Sequence, residues 1–151
     1  SFTRKHGIPH HGYKGHMGTD LSGVVVNYAF GTAKQHDADH FDALTEGEEL
    51  LVLADSMYSK LERREDLLAR GVVDGICYQR HRGQEQLAPW QRRWNRWVSR
   101  RRALVEHPIA MMKEQLRYRR VRYRGMERNR FDFALTLAAC NIKKSLSLRS
   151  A

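Results

Sequence analysis

A change of hydrophobic period near Trp90 constrains the fold of this 151-residue chain more than any other feature. Downstream of Trp90, apolar residues recur at the 3.6-residue spacing typical of helices, and residues 131–142 are almost wholly apolar. Upstream, short β-branched and apolar runs alternate with helical patterns. These patterns predict strands at 13–19, 24–30, 49–54 and 72–78, and helices at 36–44 and 61–70. The order predicts one α/β layer fold, with a mixed sheet flanked by helices.

The same periodicity predicts which faces of the helices are buried. The helix over 61–70 is expected to bury three leucines: Leu61, Leu67 and Leu68. Three tryptophans of the long helix fall on one stripe, which favours a place in the core: Trp90, Trp94 and Trp97. The apolar segment 131–142 is expected to pack against the sheet.

Charge is divided unevenly between the two halves of the chain. Residues 1–75 contain 8 basic and 12 acidic residues, a net charge of −4, whereas residues 76–151 contain 19 basic and 5 acidic residues, a net charge of +14. Sixteen of those 19 basic residues are arginines, whose planar side chains pair with phosphate through two hydrogen bonds. The basic half therefore favours a polyanionic partner, and nucleic acid rather than a membrane surface, because its charges are spread over two segments.

Composition excludes several other classes of protein. No run approaches the roughly 18 apolar residues that a membrane-spanning helix needs. The two cysteines, Cys77 and Cys140, are too few for a disulfide framework or a four-thiolate zinc site. Their number fits a reducing compartment.

Asp55 and Glu106 are the acidic residues whose positions best suit chemistry. Asp55 directly follows an apolar strand, so its carboxylate is expected at the carboxyl end of the sheet, where ligand crevices of α/β folds open. Glu106 shares a polar helical stripe with Arg102 and Lys113, which suits a metal ligand beside phosphate-binding groups. Simpler roles are also open: Asp55 can cap the following turn, and Glu106 can form a solvated ion pair with Arg102.

Several ordered motifs resemble those of bacterial insertion-sequence DDE transposases. Residues 55–58, Asp-Ser-Met-Tyr, resemble the D-x-G-Y segment of that family. Arg102, Glu106 and Lys113 reproduce the R-x3-E-x6-K spacing of its Y-R-E-K signature. The resemblance runs from about residue 13 to residue 142, and further similar segments lie at 12–16, 105–108 and 119–125 and at Asn141.

The resemblance implies an RNase H-like domain in which three acidic residues hold two divalent cations, Mg²⁺ or Mn²⁺. By resemblance, Asp55 and Glu106 are the second and third catalytic metal ligands, and Arg102 and Lys113 bind DNA phosphates. The implied substrates are insertion-sequence ends and target DNA, bound by a homodimer in the bacterial cytoplasm near the nucleoid. Residues 13–151 would be a partial catalytic domain that lacks its first strand, after an irregular basic leader over 1–12.

Three departures from the family pattern bear on activity. Ser99 stands where the signature has its leading tyrosine, and Met57 stands where D-x-G-Y has glycine. The family's first acid belongs to a strand upstream of the segment at 12–16, yet residues 1–11 contain no Asp or Glu, and Asp20 falls in a hairpin region instead. The chain is therefore expected to be a C-terminal fragment that cleaves no DNA by itself.

Two arginine-rich stretches are candidate DNA-binding surfaces. One projects from the long helix and contains Arg92, Arg93, Arg96 and Arg100. In the other, five arginines interleave with two tyrosines: Arg117, Arg119, Arg120, Arg122 and Arg124 with Tyr118 and Tyr123. Arginine neutralises phosphates and tyrosine stacks on unpaired bases, while packing against the end of the long helix is the simpler role for the tyrosines.

Two rival functions go with these surfaces. One is a non-catalytic DNA-binding remnant of a truncated transposase. The other is an unrelated arginine-rich RNA-binding protein, which would prefer structured RNA to duplex DNA.

Overall fold

The computed structural model describes residues 2–5, 8–34, 40–45, 47 and 49–150. Its strands, in chain order, are β1 (Phe2–Lys5), β2 (Ile8–His11), β3 (Tyr13–Thr19), β4 (Val25–Thr32), β5 (Leu51–Ala54) and β6 (Val73–Ile76). Its helices are α1 (Phe41–Leu44), α2 (Leu61–Ala69), α3 (Pro89–Glu114) and α4 (Met126–Arg149). The elements predicted over 13–142 are thus confirmed with shifted ends, while residues 36–39 of the first predicted helix lie outside the described residues.

Strand pairing in the described residues is both antiparallel and parallel. β1 pairs with β2 and β3 with β4 in antiparallel register, and β5 pairs with β6 in parallel register. Each sheet formed by the described residues has two strands, so these residues do not form the single mixed sheet that was expected. Hydrophobic period identifies strands but leaves their partners undetermined. The leader over 1–12, predicted to be irregular, instead contributes the β1–β2 hairpin, since antiparallel strands need only a short connection.

The chain divides into two compact units. The first contains residues 1–44 and 104–151, and the second contains residues 45–103. Helix α3 begins in the second unit and ends in the first. None of the helices in the described ranges is long and apolar enough to cross a membrane.

Helix α4 packs on the β3–β4 hairpin to form the core of the first unit. The buried apolar side chains are Val25, Phe30, Met112, Phe133, Leu137 and Cys140. Gly15 of β3 permits the close approach, because a Cβ atom there would lie 2.5 Å from Cζ of Phe133. The Asn141 side chain accepts the N–H of Val25 and donates to its carbonyl, both at 2.8 Å, which fixes the helix against the hairpin. The prediction that the segment 131–142 packs against strands is confirmed.

A β–α–β arrangement of β5, α2 and β6 forms the core of the second unit, with α2 as the crossover that parallel strands require. Leu67 of α2 is fully buried, but Leu61 and Leu68 are 72% and 77% exposed, so the prediction that both face inward is wrong. The inner face is completed by Arg64, whose guanidinium donates to the carbonyl of Ile76 at 3.1 Å. A hydrophobic pattern does not predict that an arginine faces inward because it donates hydrogen bonds to carbonyls at the end of a strand.

The tryptophan stripe of α3 does not lie in the core. Trp90 and Trp97 are 55% and 36% exposed and Trp94 is half-buried, so the prediction of a buried stripe is wrong for Trp90 and Trp97. The buried face of α3 in the second unit instead carries Val98, which is fully buried, and Asn95. The Asn95 amide exchanges two hydrogen bonds, of 2.8 and 2.9 Å, with the main chain of Tyr78. Asn95 and Val98 lie roughly 100° around the helix from the tryptophans, so this anchorage turns the stripe outward.

Candidate functional site

Asp55 lies at the carboxyl end of β5, as its position in the sequence predicts. One carboxylate oxygen accepts the main-chain N–H of Ser56 at 2.6 Å and so caps the short 3₁₀ turn Ser56–Tyr58. The other oxygen lies 3.7 Å from a guanidinium nitrogen of Arg102 on α3, and the Asp55 side chain is 48% exposed. The capping role is therefore confirmed, and the same carboxylate also forms an ion pair.

The end of β6 brings Cys77 beside Asp55. Its N–H donates to the carbonyl of Ala54 at 3.0 Å, because parallel pairing continues one residue past β6. The Ser99 side chain of α3 lies beside the thiol. Burial raises the pKa of the Cys77 thiol, and the Ser99 side chain and the Arg102 charge oppose that shift only in part. The thiol is therefore protonated at neutral pH and is a poor nucleophile.

Asp55, Cys77, Ser99 and Arg102 together form what we call the strand-end cluster. Sequence reasoning found two of its members as site residues, Asp55 and Arg102, and treated Ser99 only as a departure from the signature. A usable signal existed for Cys77, since it directly follows the strand parallel to β5 and the carboxyl ends of parallel strands share one edge. No local signal marked the approach of Ser99, because it depends on how α3 packs.

Glu106 and Lys113 lie in the part of α3 that belongs to the first unit, and both side chains are exposed. The convergence of Glu106 with Asp55 on a shared cation stays a prediction. Carboxylate oxygens are the donors that Mg²⁺ prefers. However, no group of three or more His, Cys, Asp or Glu side chains in the described part of the chain is arranged to hold a metal ion. The described residues therefore do not complete the three-carboxylate site that the resemblance implies.

The basic segment, residues 117–125, follows α3. Arg119 and Arg122 are each paired with a carboxylate of the same unit, at 2.9 and 3.8 Å. Arg120 and Arg124 are exposed, and neither has an ion-pair or hydrogen-bond partner among the residues that the structure describes. Two of the five arginines in this segment are thus tethered, while Arg120 and Arg124 are available to a polyanion.

The two tyrosines of the basic segment differ in environment. Tyr118 packs against Phe133, with 6.1 Å between the ring centroids, which confirms the simpler packing role for this residue. Burial, followed by the nearby charge of Asp132, raises the pKa of the Tyr118 hydroxyl. Tyr123 is 51% exposed, and its main chain is held by the buried Asn129 side chain. Only Tyr123 therefore offers a ring to solvent.

Comparison with known protein families identifies the family to which this chain belongs. The sequence model of the family described as "Transposase DDE domain" matches residues 2–142. The chain therefore belongs to the DDE transposase family, and the family resemblance inferred from the motifs is confirmed.

One curated relative is similar to the chain over almost its whole length. The transposase for insertion sequence element IS1106 of Neisseria meningitidis serogroup B is similar to this chain, with 29% identity over 150 residues. The alignment covers 98% of the chain and 52% of the relative, so the chain spans about half the length of that protein. No solved structure matches the chain significantly.

Proposed function

We propose that this chain is part of the RNase H-like catalytic domain of an insertion-sequence transposase, which breaks and joins phosphodiester bonds of DNA with the help of Mg²⁺ or Mn²⁺. The observation that supports this proposal is the Asp55–Arg102 pair at the carboxyl end of β5, in a chain that the transposase family model matches over 2–142. An exposed carboxylate beside an arginine, at this edge of parallel strands, suits a site for a cation and a phosphate.

Each residue of the proposed site has a distinct role. Asp55 and Glu106 are the metal ligands, because both supply carboxylate oxygens. Arg102 and Lys113 bind phosphates next to the scissile bond and stabilise negative charge that develops there. The protein acts as a homodimer on insertion-sequence ends and target DNA, in the cytoplasm close to the nucleoid.

Binding of Mn²⁺ tests the two metal ligands independently of activity. Paramagnetic broadening of amide signals upon addition of Mn²⁺ should affect Asp55 and Glu106 together, and Asp55→Asn should abolish the broadening at both. Asp66→Asn, which removes an exposed carboxylate of α2, is the matched control and should leave the broadening unchanged. Broadening at Glu106 that survives Asp55→Asn would separate the two residues and contradict the shared site.

The chain on its own should cleave no DNA strand. Residues 1–11 contain no acidic side chain, so Asp55 and Glu106 act without a third carboxylate, and a metal site that lacks one ligand is weak and misshapen. Gel analysis of end-labelled DNA with Mg²⁺ or Mn²⁺ should show only intact strands. Cleavage that disappears in Asp55→Ala would overturn this expectation.

A second candidate function, DNA binding without catalysis, is favoured by the free arginines of the basic segment. Duplex DNA binding should weaken with salt, and each lost phosphate contact should reduce the slope of log K against log salt by about 0.9. The double variant Arg120→Gln, Arg124→Gln should therefore lower that slope by about 2. Arg149→Gln, at the end of α4, is the control and should bind like the unmodified chain.

Salt-independent binding would contradict a role for these arginines. Equal or tighter binding of structured RNA would favour the rival RNA-binding function. DNA binding by the chain, together with no Mn²⁺-dependent broadening at Asp55 or Glu106, would favour the non-catalytic DNA-binding remnant.

A further inference from the structure

The three tryptophans of the sequence line one open cleft on the first half of α3. Trp90, Trp94 and Trp97 surround it together with Arg93, and its volume is about 420 Å³. Pockets of about 300–1,000 Å³ are typical of small-ligand sites. A single exposed apolar side chain is normal on a protein surface, whereas a group of large exposed aromatic side chains marks an interaction site. The cleft is therefore a candidate binding site.

The rings of the cleft are held in place before any ligand binds. Trp94 and Trp97 stack with their centroids 5.3 Å apart and their planes 19° from parallel, and the guanidinium of Arg101 lies 4.0 Å over the Trp97 ring. Trp90, the most exposed of the three, meets the edge of Tyr78 at 5.1 Å. Asn95 fixes Tyr78 through its main chain. Such preorganisation lowers the entropic cost of binding a flat ligand.

The charge around the cleft selects a polyanion. Residues 86–105 contain six arginines and no acidic residue, and the arginines are Arg92, Arg93, Arg96, Arg100, Arg101 and Arg102. Exposed arginines interleaved with exposed aromatic rings match a nucleic-acid strand, whose phosphates pair with arginine and whose bases stack on aromatic faces. A second copy of the chain would bring its own Arg93 and Arg101 to the same surface, which like-charge repulsion disfavours.

We propose that this tryptophan cleft binds the unpaired bases of a single DNA strand, with neighbouring arginines on its phosphates. Bases inside a duplex hide their faces in the stack, so the cleft recognises opened DNA and not the intact duplex. The choice of DNA over RNA rests on the proposed transposase function, because a protein that breaks DNA strands meets unpaired bases where the duplex opens.

Tryptophan fluorescence tests the proposal directly, because all the tryptophans of the chain lie in the cleft. Titration with a short oligothymidylate should quench the emission, and fluorescence anisotropy of the labelled oligonucleotide should give the Kd. Trp90→Ala should raise that Kd about 5- to 150-fold, the range expected for loss of one base–aromatic stack. Trp90→Phe keeps a ring and should stay within a few-fold of the unmodified chain.

A matched control separates this site from aromatic exposure in general. Phe131 of α4 is 66% exposed and lies outside the cleft, so Phe131→Ala should not change the Kd for the single strand. Duplex affinity should also be unchanged in Trp90→Ala. Circular dichroism and the urea midpoint establish that each variant folds.

Several outcomes would overturn the proposal. Single-strand binding that is absent, or equal in Trp90→Ala and the unmodified chain, removes the site. Self-association that is lost in Trp90→Ala, measured by sedimentation, would assign the cleft to a second copy. Equal Trp90-dependent binding of single-stranded RNA would overturn the assignment to DNA. Broadening at Glu106 that survives Asp55→Asn would instead count against the proposed function and leave the cleft proposal standing.

Discussion

Asn129 connects the basic segment to the start of α4, and its replacement by alanine tests how that segment is held. The side chain is fully buried. It accepts the N–H of Tyr123 at 3.1 Å, and it donates to the carbonyls of Tyr123 and Gly125 at 2.7 and 2.6 Å. Asn129→Ala removes all three hydrogen bonds. The N–H and carbonyl of Tyr123 and the carbonyl of Gly125 must then form hydrogen bonds with water instead.

The expected loss of stability follows from these contacts. A typical hydrogen bond contributes about 1 kcal/mol net, so three contribute about 3 kcal/mol. Because Tyr123 is 51% exposed, water reaches part of the freed main chain and reduces the loss. The free energy of unfolding should therefore fall by about 2–3 kcal/mol. Since no arginine is removed, the salt dependence of DNA binding should stay the same while the loosened segment binds a few-fold more weakly.

Urea unfolding followed by circular dichroism measures the stability, and hydrogen exchange of residues 117–125 reports on the segment itself. Asn27→Ala is the control in the same unit, because the Asn27 side chain makes one long hydrogen bond, of 3.4 Å, to the carbonyl of Leu44. Asn27→Ala should lower the free energy of unfolding by well under half as much as Asn129→Ala does. If Asn129→Ala unfolds within about 0.5 kcal/mol of the unmodified chain and the segment exchanges no faster, the buried amide does not hold it.

Three further changes test the second unit. Gly75→Ala should lower its stability by about 1–3 kcal/mol in urea unfolding, because the new Cβ would lie 2.7 Å from the main-chain oxygen of Val52; an unchanged midpoint would refute the close packing. Arg64→Lys should cost about 2 kcal/mol and lower the melting temperature in calorimetry, since lysine cannot hold Asp74 and the strand-end carbonyls together; full stability would refute this role. Burial raises the pKa of the Cys77 thiol, so the folded chain keeps its proton above the ordinary thiol value of 9.0, and the stability present below that pH is lost as pH rises through the folded-state pKa. The urea midpoint should fall above about pH 9, and less so in Cys77→Ser.

Local patterns predicted the elements well. Period and turn residues indicated the strands β3–β6 and the helices α2, α3 and α4, because the hydrogen bonds of helices and the spacing of strand side chains depend on residues close in the chain. The place of Asp55 directly after an apolar run also predicted its cap on the next turn. The family followed from the spacing of Arg102, Glu106 and Lys113, and the match over 2–142 agrees with it.

Local patterns did not predict which helix faces are buried or which distant residues meet. Leu61, Leu68, Trp90 and Trp97 have the period of a buried face, yet they are exposed to solvent. The inner faces are set by Arg64 on strand-end carbonyls and by Asn95 on Tyr78, polar contacts that a hydrophobic pattern does not contain. The meeting of Asp55 with Cys77 likewise depended on the parallel register of β5 and β6.

Residue order alone thus established where residues 13–142 are helical or extended, that the second half of the chain is cationic, and which family the chain belongs to, since all three can be read from residue types and their spacing. Packing chose which side of α3 is buried and so exposed the tryptophan cleft. It also brought Arg102 to Asp55. These outcomes arise from hydrogen bonds and charge pairs between residues far apart in sequence, whose free energies are settled only when the backbone places both partners together.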